Sequence, residues 1–422
     1  MFKKHTFSNG LRLVLAPVKG AKSLTVLVLV GTGSKYETKE INGLSHFLEH
    51  MFFKGTKKRP SALEVASSLD EVGGSYNAFT SQEFTGYWAK VDAKHSELAL
   101  DWVSDIFLNS KLDEAEIARE KGVIIEEINM YQDTPVSNVW NVWSRLLYGD
   151  QPAGWLVTGE KETVKALKRE DFLEYMKNQY VAKNTIVVLA GNLEKLASPK
   201  LQVQRFFKNI RTGNFKNKPK VFEKQNRPAV KLSFKETDQS HFILGFRGYD
   251  IFNDKRYAAS LLATILGGYM SSRLFIEVRE RRGLCYYIRA LNETFTDSGY
   301  LVANAGVDNG RVAEAIKVIL EEFKKISDEG VPEGELKKAK DHIRGATLLS
   351  LESSDEVASF LGTQEILKRE ILTPEKFFSK IEKITSVDLS RVAKELFQPK
   401  NLNLALIGPF KDKRKFEKLL KI

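Results

Sequence analysis

Two short runs decide the fold: Leu24-Thr-Val-Leu-Val-Leu-Val-Gly31 and His241-Phe-Ile-Leu-Gly-Phe-Arg-Gly248, which lie 217 positions apart. Both read as apolar strands that stop at a glycine. The same shift lays Asn184-Thr-Ile-Val-Val-Leu-Ala-Gly-Asn-Leu193 on Asn401-Leu-Asn-Leu-Ala-Leu-Ile-Gly-Pro-Phe410. With a shift of 216, Phe79-Thr-Ser-Gln-Glu-Phe-Thr-Gly-Tyr-Trp-Ala-Lys-Val91 meets Phe295-Thr-Asp-Ser-Gly-Tyr-Leu-Val-Ala-Asn-Ala-Gly-Val307. Identity within the pairs is low, yet their order and spacing repeat, as in an internal duplication.

Each half then reads as strand, strand, helix, helix, a strand pair, and a long helical stretch before a closing strand. Ser61-Ala-Leu-Glu64, after Pro60, is a capping box for a helix ending at Gly73-Gly74, and Asp113-Glu-Ala-Glu116 opens another helix the same way. Mostly hairpin-length connections predict an α+β fold of two duplicated domains, each a mostly antiparallel sheet flanked by helices. The predicted domains are residues 1–210 and 221–422. Between them Arg211-Thr-Gly-Asn-Phe-Lys-Asn-Lys-Pro-Lys220 is poor in apolar residues and reads as the linker.

At 422 residues the chain exceeds what one core usually serves, and 42% hydrophobic with 28% charged residues is an ordinary globular composition. The formal charge of +11 raises nucleic acid as a partner. Its densest runs, Lys57-Lys58-Arg59, Arg279-Glu280-Arg281-Arg282 and Lys411-Asp412-Lys413-Arg414-Lys415, are scattered and partly neutralised, so solvated faces are expected and nucleic acid is not. The single cysteine, Cys285, excludes an intramolecular disulfide framework and a cysteine-rich zinc site. The apolar run at 24–30 is far below the roughly 20 residues of a membrane span. A cytoplasmic protein without a membrane anchor is therefore expected.

Gly43-Leu-Ser-His-Phe-Leu-Glu-His-Met-Phe-Phe-Lys-Gly-Thr56 carries two of the six histidines four positions apart. Residues 42–53 predict a helix, with Asn42 as cap and Leu44, Phe47, Leu48, Met51 and Phe52 as apolar faces. Positions i and i+4 share a helix face, so His46 and His50 can both offer a ring nitrogen to one metal ion. Glu49 borders that face, where it can deprotonate a metal-bound water without being a ligand. A catalytic zinc takes three protein ligands, so a third is sought elsewhere. Glu120 and Glu127 lie seven residues apart on the helix opened by Asp113, sharing a face with Ile124, Ile128 and Tyr131, whereas Glu126 points about 100 degrees away toward solvent.

The arrangement of His46-Phe-Leu-Glu49-His50 with the distal Glu127 resembles the inverzincin metallopeptidases of the pitrilysin, insulysin and mitochondrial processing peptidase family. The resemblance implies zinc held by His46, His50 and Glu127, Glu49 as general base, and Glu120 as a supporting acid. It extends to Gly74-Ser-Tyr-Asn77-Ala78-Phe79-Thr80, similar to the family's edge strand, which implies Asn77 and Ala78 against an extended peptide. It extends also to Ser272–Tyr287, where Arg279 and Tyr286 match by their seven-residue spacing the pair that steadies the oxyanion. Under the 217 shift His46, Glu49 and His50 fall on Ala263, Leu266 and Gly267, so the second half cannot bind this metal. The resemblance then implies one zinc-binding half and one that closes over it, a clamshell chamber for peptides or unfolded segments. A chain of this length resembles the short, processing-peptidase-like members that pair two chains. That implies a homodimer, or a heterodimer with an inactive sister subunit. The expected activity is zinc-dependent endopeptidase. The alternative is a non-catalytic scaffold or regulatory subunit, which in the family usually lacks motif residues.

Overall fold

The computed structural model describes residues 2–421. Among the described residues eleven strands form two sheets: β1 (Lys3–Thr6), β2 (Arg12–Pro17), β3 (Ser23–Val30), β4 (Ser75–Thr80), β5 (Thr85–Asp92), β6 (Thr185–Gly191), β7 (Ala229–Phe234), β8 (Gln239–Arg247), β9 (Cys285–Thr294), β10 (Gly299–Asp308) and β11 (Leu402–Gly408). One sheet has the order β1-β2-β6-β3-β5-β4 and the other β7-β11-β8-β10-β9. Apart from β1, the two orders correspond strand for strand. In each, the closing strand pairs parallel with the first (β2 with β6, β7 with β11) and every other pairing is antiparallel. The duplication is thus a repeated topology, and the paired segments of sequence are β3 with β8, β5 with β10 and β6 with β11.

The chain forms two compact units: Met1–Ile128, Leu156–Pro219 and Leu348–Thr373; and Asn129–Trp155, Lys220–Thr347 and Pro374–Ile422. One change of unit falls at Pro219/Lys220, inside the expected linker, but the units do not follow the predicted halves throughout. Residues 129–155 belong with the second sheet and 348–373 with the first.

The reason lies in the strands. Along β3, Leu24, Val26, Val28 and Val30 enter one core while Leu27 and Leu29 enter another, so both faces of that sheet need a cover. One cover comes from helices α1 (Leu44–Met51), α2 (Ala62–Asp70), α3 (Ser96–Asn109) and α4 (Glu114–Asp133) with later segments. The other is the helix Ser354–Lys368, whose Ala358, Leu361 and Ile366 pack on Val14, Leu29 and Val188. It is pinned by a buried ion pair between Arg12 and Glu365 at 3.1 Å and by the Thr25–Ser354 hydroxyl bond at 2.8 Å. In the second unit the helix Pro135–Tyr148 covers one sheet face through Val139, Trp143 and Leu147 against Ile243, Val302 and Ile407. On β8, Phe246 meets Phe323 and Phe397. Each sheet therefore takes one cover helix from the opposite half of the sequence.

Candidate metal centre

Helix α1 spans Leu44–Met51, shorter than the expected 42–53, and Asn42 is not its cap. The N-cap position is Gly43, in the left-handed region at φ 97°. A Cβ there would lie 2.6 Å from the Thr158 carbonyl oxygen, so only glycine fits. The orphan N–H groups are met from outside the helix by Glu37, which is buried. Its Oε1 accepts from Ser45 N–H (2.7 Å), and its Oε2 accepts from Gly43 N–H (2.8 Å) and Asn42 Nδ2 (3.0 Å). Burial pushes the Glu37 carboxyl up to about 7 against the lowering pull of those donors. Ser45 Oγ and Tyr175 Oη are 2.7 Å apart, and Tyr175 Oη is 2.7 Å from Thr32 Oγ1, which ties the first turn to the core.

Leu44, Phe47, Leu48 and Met51 are buried almost completely and fix the rotation of α1. That rotation leaves His46, Glu49 and His50 on the remaining face. The two imidazole rings stand with centroids 4.7 Å apart. Helix α4 opens as expected at Asp113, whose Oδ1 accepts from Ala115 and Glu116 N–H, although Glu116 itself turns to Arg119 and leaves the capping box half formed. Ile117, Ile124 and Ile128 anchor α4 in the core and bring Glu127 beneath the histidines. Glu127 Oε2 lies 3.5 Å from Nε2 of His46 and 3.5 Å from Nε2 of His50. Glu126 is exposed, as its position on the helix predicts.

Glu120, one face-repeat earlier, is buried, with Oε1 2.9 Å from His50 Nδ1 and Oε2 2.6 Å from Lys54 Nζ. That contact occupies Nδ1 and leaves Nε2 of His50 for a metal. His46 Nδ1, by contrast, is buried with no hydrogen-bond partner, so packing and the Nε2 contact with Glu127 orient that ring. Glu49 Oε2 accepts a 2.6 Å hydrogen bond from Thr80 Oγ1 at the end of β4.

Electrostatics follow this geometry. Hydrogen bonds to His46 and His50 hold the Glu127 carboxyl well below the usual carboxylate range. Burial opposes ionisation of Glu120, but His50 and Lys54 outweigh it and lower that carboxyl too. For His50 burial works downward, yet bonds to Glu120 and Glu127 raise it to about 9. Lys54 faces Glu120, and His50 faces both Glu120 and Glu127.

The ligand atoms of His46, His50 and Glu127 all lie within 4.8 Å of one another. Tetrahedral zinc with bonds of about 2.0–2.1 Å needs donors roughly 3.3–3.4 Å apart, close to the 3.5 Å separations found, and two histidines with one glutamate are a zinc donor set. The residues present fit that ion.

Of the remaining predicted residues, Asn77 and Ala78 lie on β4, Tyr286 on β9, and Arg279 in the helical segment Phe275–Glu280. β4 is the edge of its sheet, with Asn77 exposed, the Ala78 side chain buried, and the Ala78 N–H donating to Asn77 Oδ1 at 2.9 Å. Arg279 and Tyr286 belong to the second unit. There the Arg279 guanidinium stands 5.3 Å over the Tyr286 ring and 4.6 Å over Phe275, and Tyr286 is 77% exposed. Ala263 and Leu266 are buried in the helix Arg256–Gly267, and a Cβ on Gly267 would come 2.3 Å from the Ala290 backbone nitrogen on β9. The second half has no room for a histidine where the first places His50. The sequence pattern assigned nothing to Glu37, Lys54 or Thr80, although Lys54 and Thr80 lay inside the quoted segments 43–56 and 74–80.

The family model for insulinase (peptidase family M16) matches residues 12–154, and the model for the peptidase M16 inactive domain matches residues 166–343. An uncharacterized zinc protease of Bacillus subtilis is 37% identical over 412 residues, 97% of this chain and 98% of that one. An uncharacterized zinc protease of Streptomyces coelicolor is 33% identical, covering 98% of this chain and 90% of its own. The fold is that of the crystal structure of a protease from Helicobacter pylori, with TM-score 0.90 at 23% identity over 97% of this chain and 99% of that chain.

Proposed function

The chain belongs to the insulinase family, peptidase family M16, and on that premise we propose that it is a zinc-dependent endopeptidase with its metal on His46, His50 and Glu127. One observation carries the reading: three ligand atoms converge within 4.8 Å beside a carboxylate, Glu49, one residue from His50 on the same helix. Zinc bound there supplies a Lewis acid that polarises a peptide carbonyl and makes water acidic.

The chain's own residues supply the rest. Glu49 accepts the proton of the attacking water on the oxygen that Thr80 leaves open, and returns it to the departing amine. Glu120 and Lys54 hold His50 with Nε2 turned to the ligand set. The open edge of β4 suits an extended peptide, which would take the Ala78 N–H from Asn77 Oδ1. We assign Arg279 and Tyr286 to the developing oxyanion, and the second unit to closure over a peptide or unfolded segment. A homodimer is the assembly we propose, since one chain carries both the metal residues and the Arg-Tyr pair. A cytoplasmic site is proposed with it. The lone Cys285 suits a reducing compartment, and among the described residues no helix is long and apolar enough to cross a membrane.

The test is Glu49→Gln. Wild type should cleave an unstructured peptide library while the variant keeps its zinc and loses cleavage. Equal turnover by the two proteins would refute the peptidase reading, and stoichiometric absence of zinc would favour the scaffold subunit instead.

A further inference from the structure

β4 ends where the general base begins. Thr80 is its last residue, paired with Thr85 of β5, and its hydroxyl donates to Glu49 Oε2 at 2.6 Å. The same hydroxyl lies 3.5 Å from the Ser45 carbonyl oxygen, so it sits over the first turn of α1. Among the described residues no other hydrogen bond to the Glu49 carboxylate is found. Glu49 is only partly buried and has three side-chain torsions, so nothing else fixes the plane of its carboxylate. The Thr80 backbone, by contrast, is held in the β4–β5 ladder.

We propose that Thr80 is a positioning residue for the proteolytic reaction: its hydroxyl holds one oxygen of Glu49 and so aims the other at the attacking water. The inference rests on the peptidase reading of this site. It makes β4 serve twice, since the strand whose open edge suits the substrate also sets the orientation of the base, three residues from Asn77. A carboxylate released from this bond samples several rotamers, and only some of them place an oxygen toward the ligand face. Misplacement of a base by about 1 Å costs on the order of 100-fold in rate.

Thr80→Val keeps the shape and removes the donor, whereas Thr80→Ser keeps the donor and removes the methyl. Thr80→Val should bind zinc in the wild-type ratio, keep KM within about twofold and lose kcat by on the order of 10- to 100-fold. Thr80→Ser should recover most of that loss, which a packing role for the methyl would not allow. In crystals of Thr80→Val the Glu49 carboxylate should be turned or split between rotamers. An unmoved carboxylate overturns the proposal whatever the activity, as does an unchanged kcat or a failure of serine to rescue. If Glu49→Gln cleaves as well as wild type, the peptidase reading falls; if only Thr80→Val matches wild type, the positioning role alone falls.

Discussion

Glu120 Oε1 stands 2.9 Å from His50 Nδ1 and its other oxygen 2.6 Å from Lys54 Nζ, so one buried carboxylate sets which nitrogen of the second histidine is left for a metal. Groups that orient a ligand in this way are worth roughly 10- to 100-fold in metal affinity. Glu120→Gln should therefore weaken zinc binding by about that factor, measured by competition with a chromophoric chelator. An affinity within twofold of wild type would mean that His50, like His46, needs no partner on Nδ1.

The proton on His50 predicts a pH dependence of the chelator-treated protein. Its folded value, about 9, lies above the ordinary 6.5. The stability it contributes is therefore fully present below pH 6.5 and lost as pH rises through about 9. Chemical denaturation from pH 6 to 10 should show a loss of roughly 3 kcal/mol that is absent in His50→Gln. Parallel slopes in the two proteins would contradict it.

Glu37 predicts a structural effect at a distance from the ligands. Glu37→Gln keeps the volume but turns a donor toward the N–H of Gly43 or Ser45. Unfolding free energy should drop by about 1–3 kcal/mol, with zinc affinity falling as the first turn of α1 loosens. Coincident denaturation curves for variant and wild type would show that the cap is dispensable.

These residues mark what could be read from sequence. β3 was legible because burial on both faces leaves an unbroken apolar run, and α1 because its apolar positions leave His46, Glu49 and His50 on one side. Glu127 and Glu120 stood out as carboxylates on the stripe of Ile124 and Ile128. Glu37 was hidden because it caps α1 through space from outside the helix, where the local pattern pointed to Asn42. The exchange of Pro135–Tyr148 and Ser354–Lys368 was hidden too. An amphipathic helix shows that it needs a sheet, and nothing in its pattern says which of two similar sheets it covers.

The second half yields a prediction from its missing site. Gly267 packs against the β9 backbone, where a Cβ would fall 2.3 Å from Ala290 N. Gly267→Ala should destabilise the protein by about 1–3 kcal/mol in a denaturant titration, and a histidine there should cost more. Full stability of the alanine variant would mean that the helix can slide, and that a second metal site is sterically open.

The central claim is that one zinc sits between His46, His50 and Glu127. Crystals of zinc-loaded protein, with anomalous data collected on both sides of the zinc absorption edge, test it most directly. A single edge-dependent peak about 2.0–2.2 Å from Nε2 of His46, Nε2 of His50 and a Glu127 carboxylate oxygen is the expected result. Fully loaded protein with its peak elsewhere, or with either histidine turned away from it, would contradict the account.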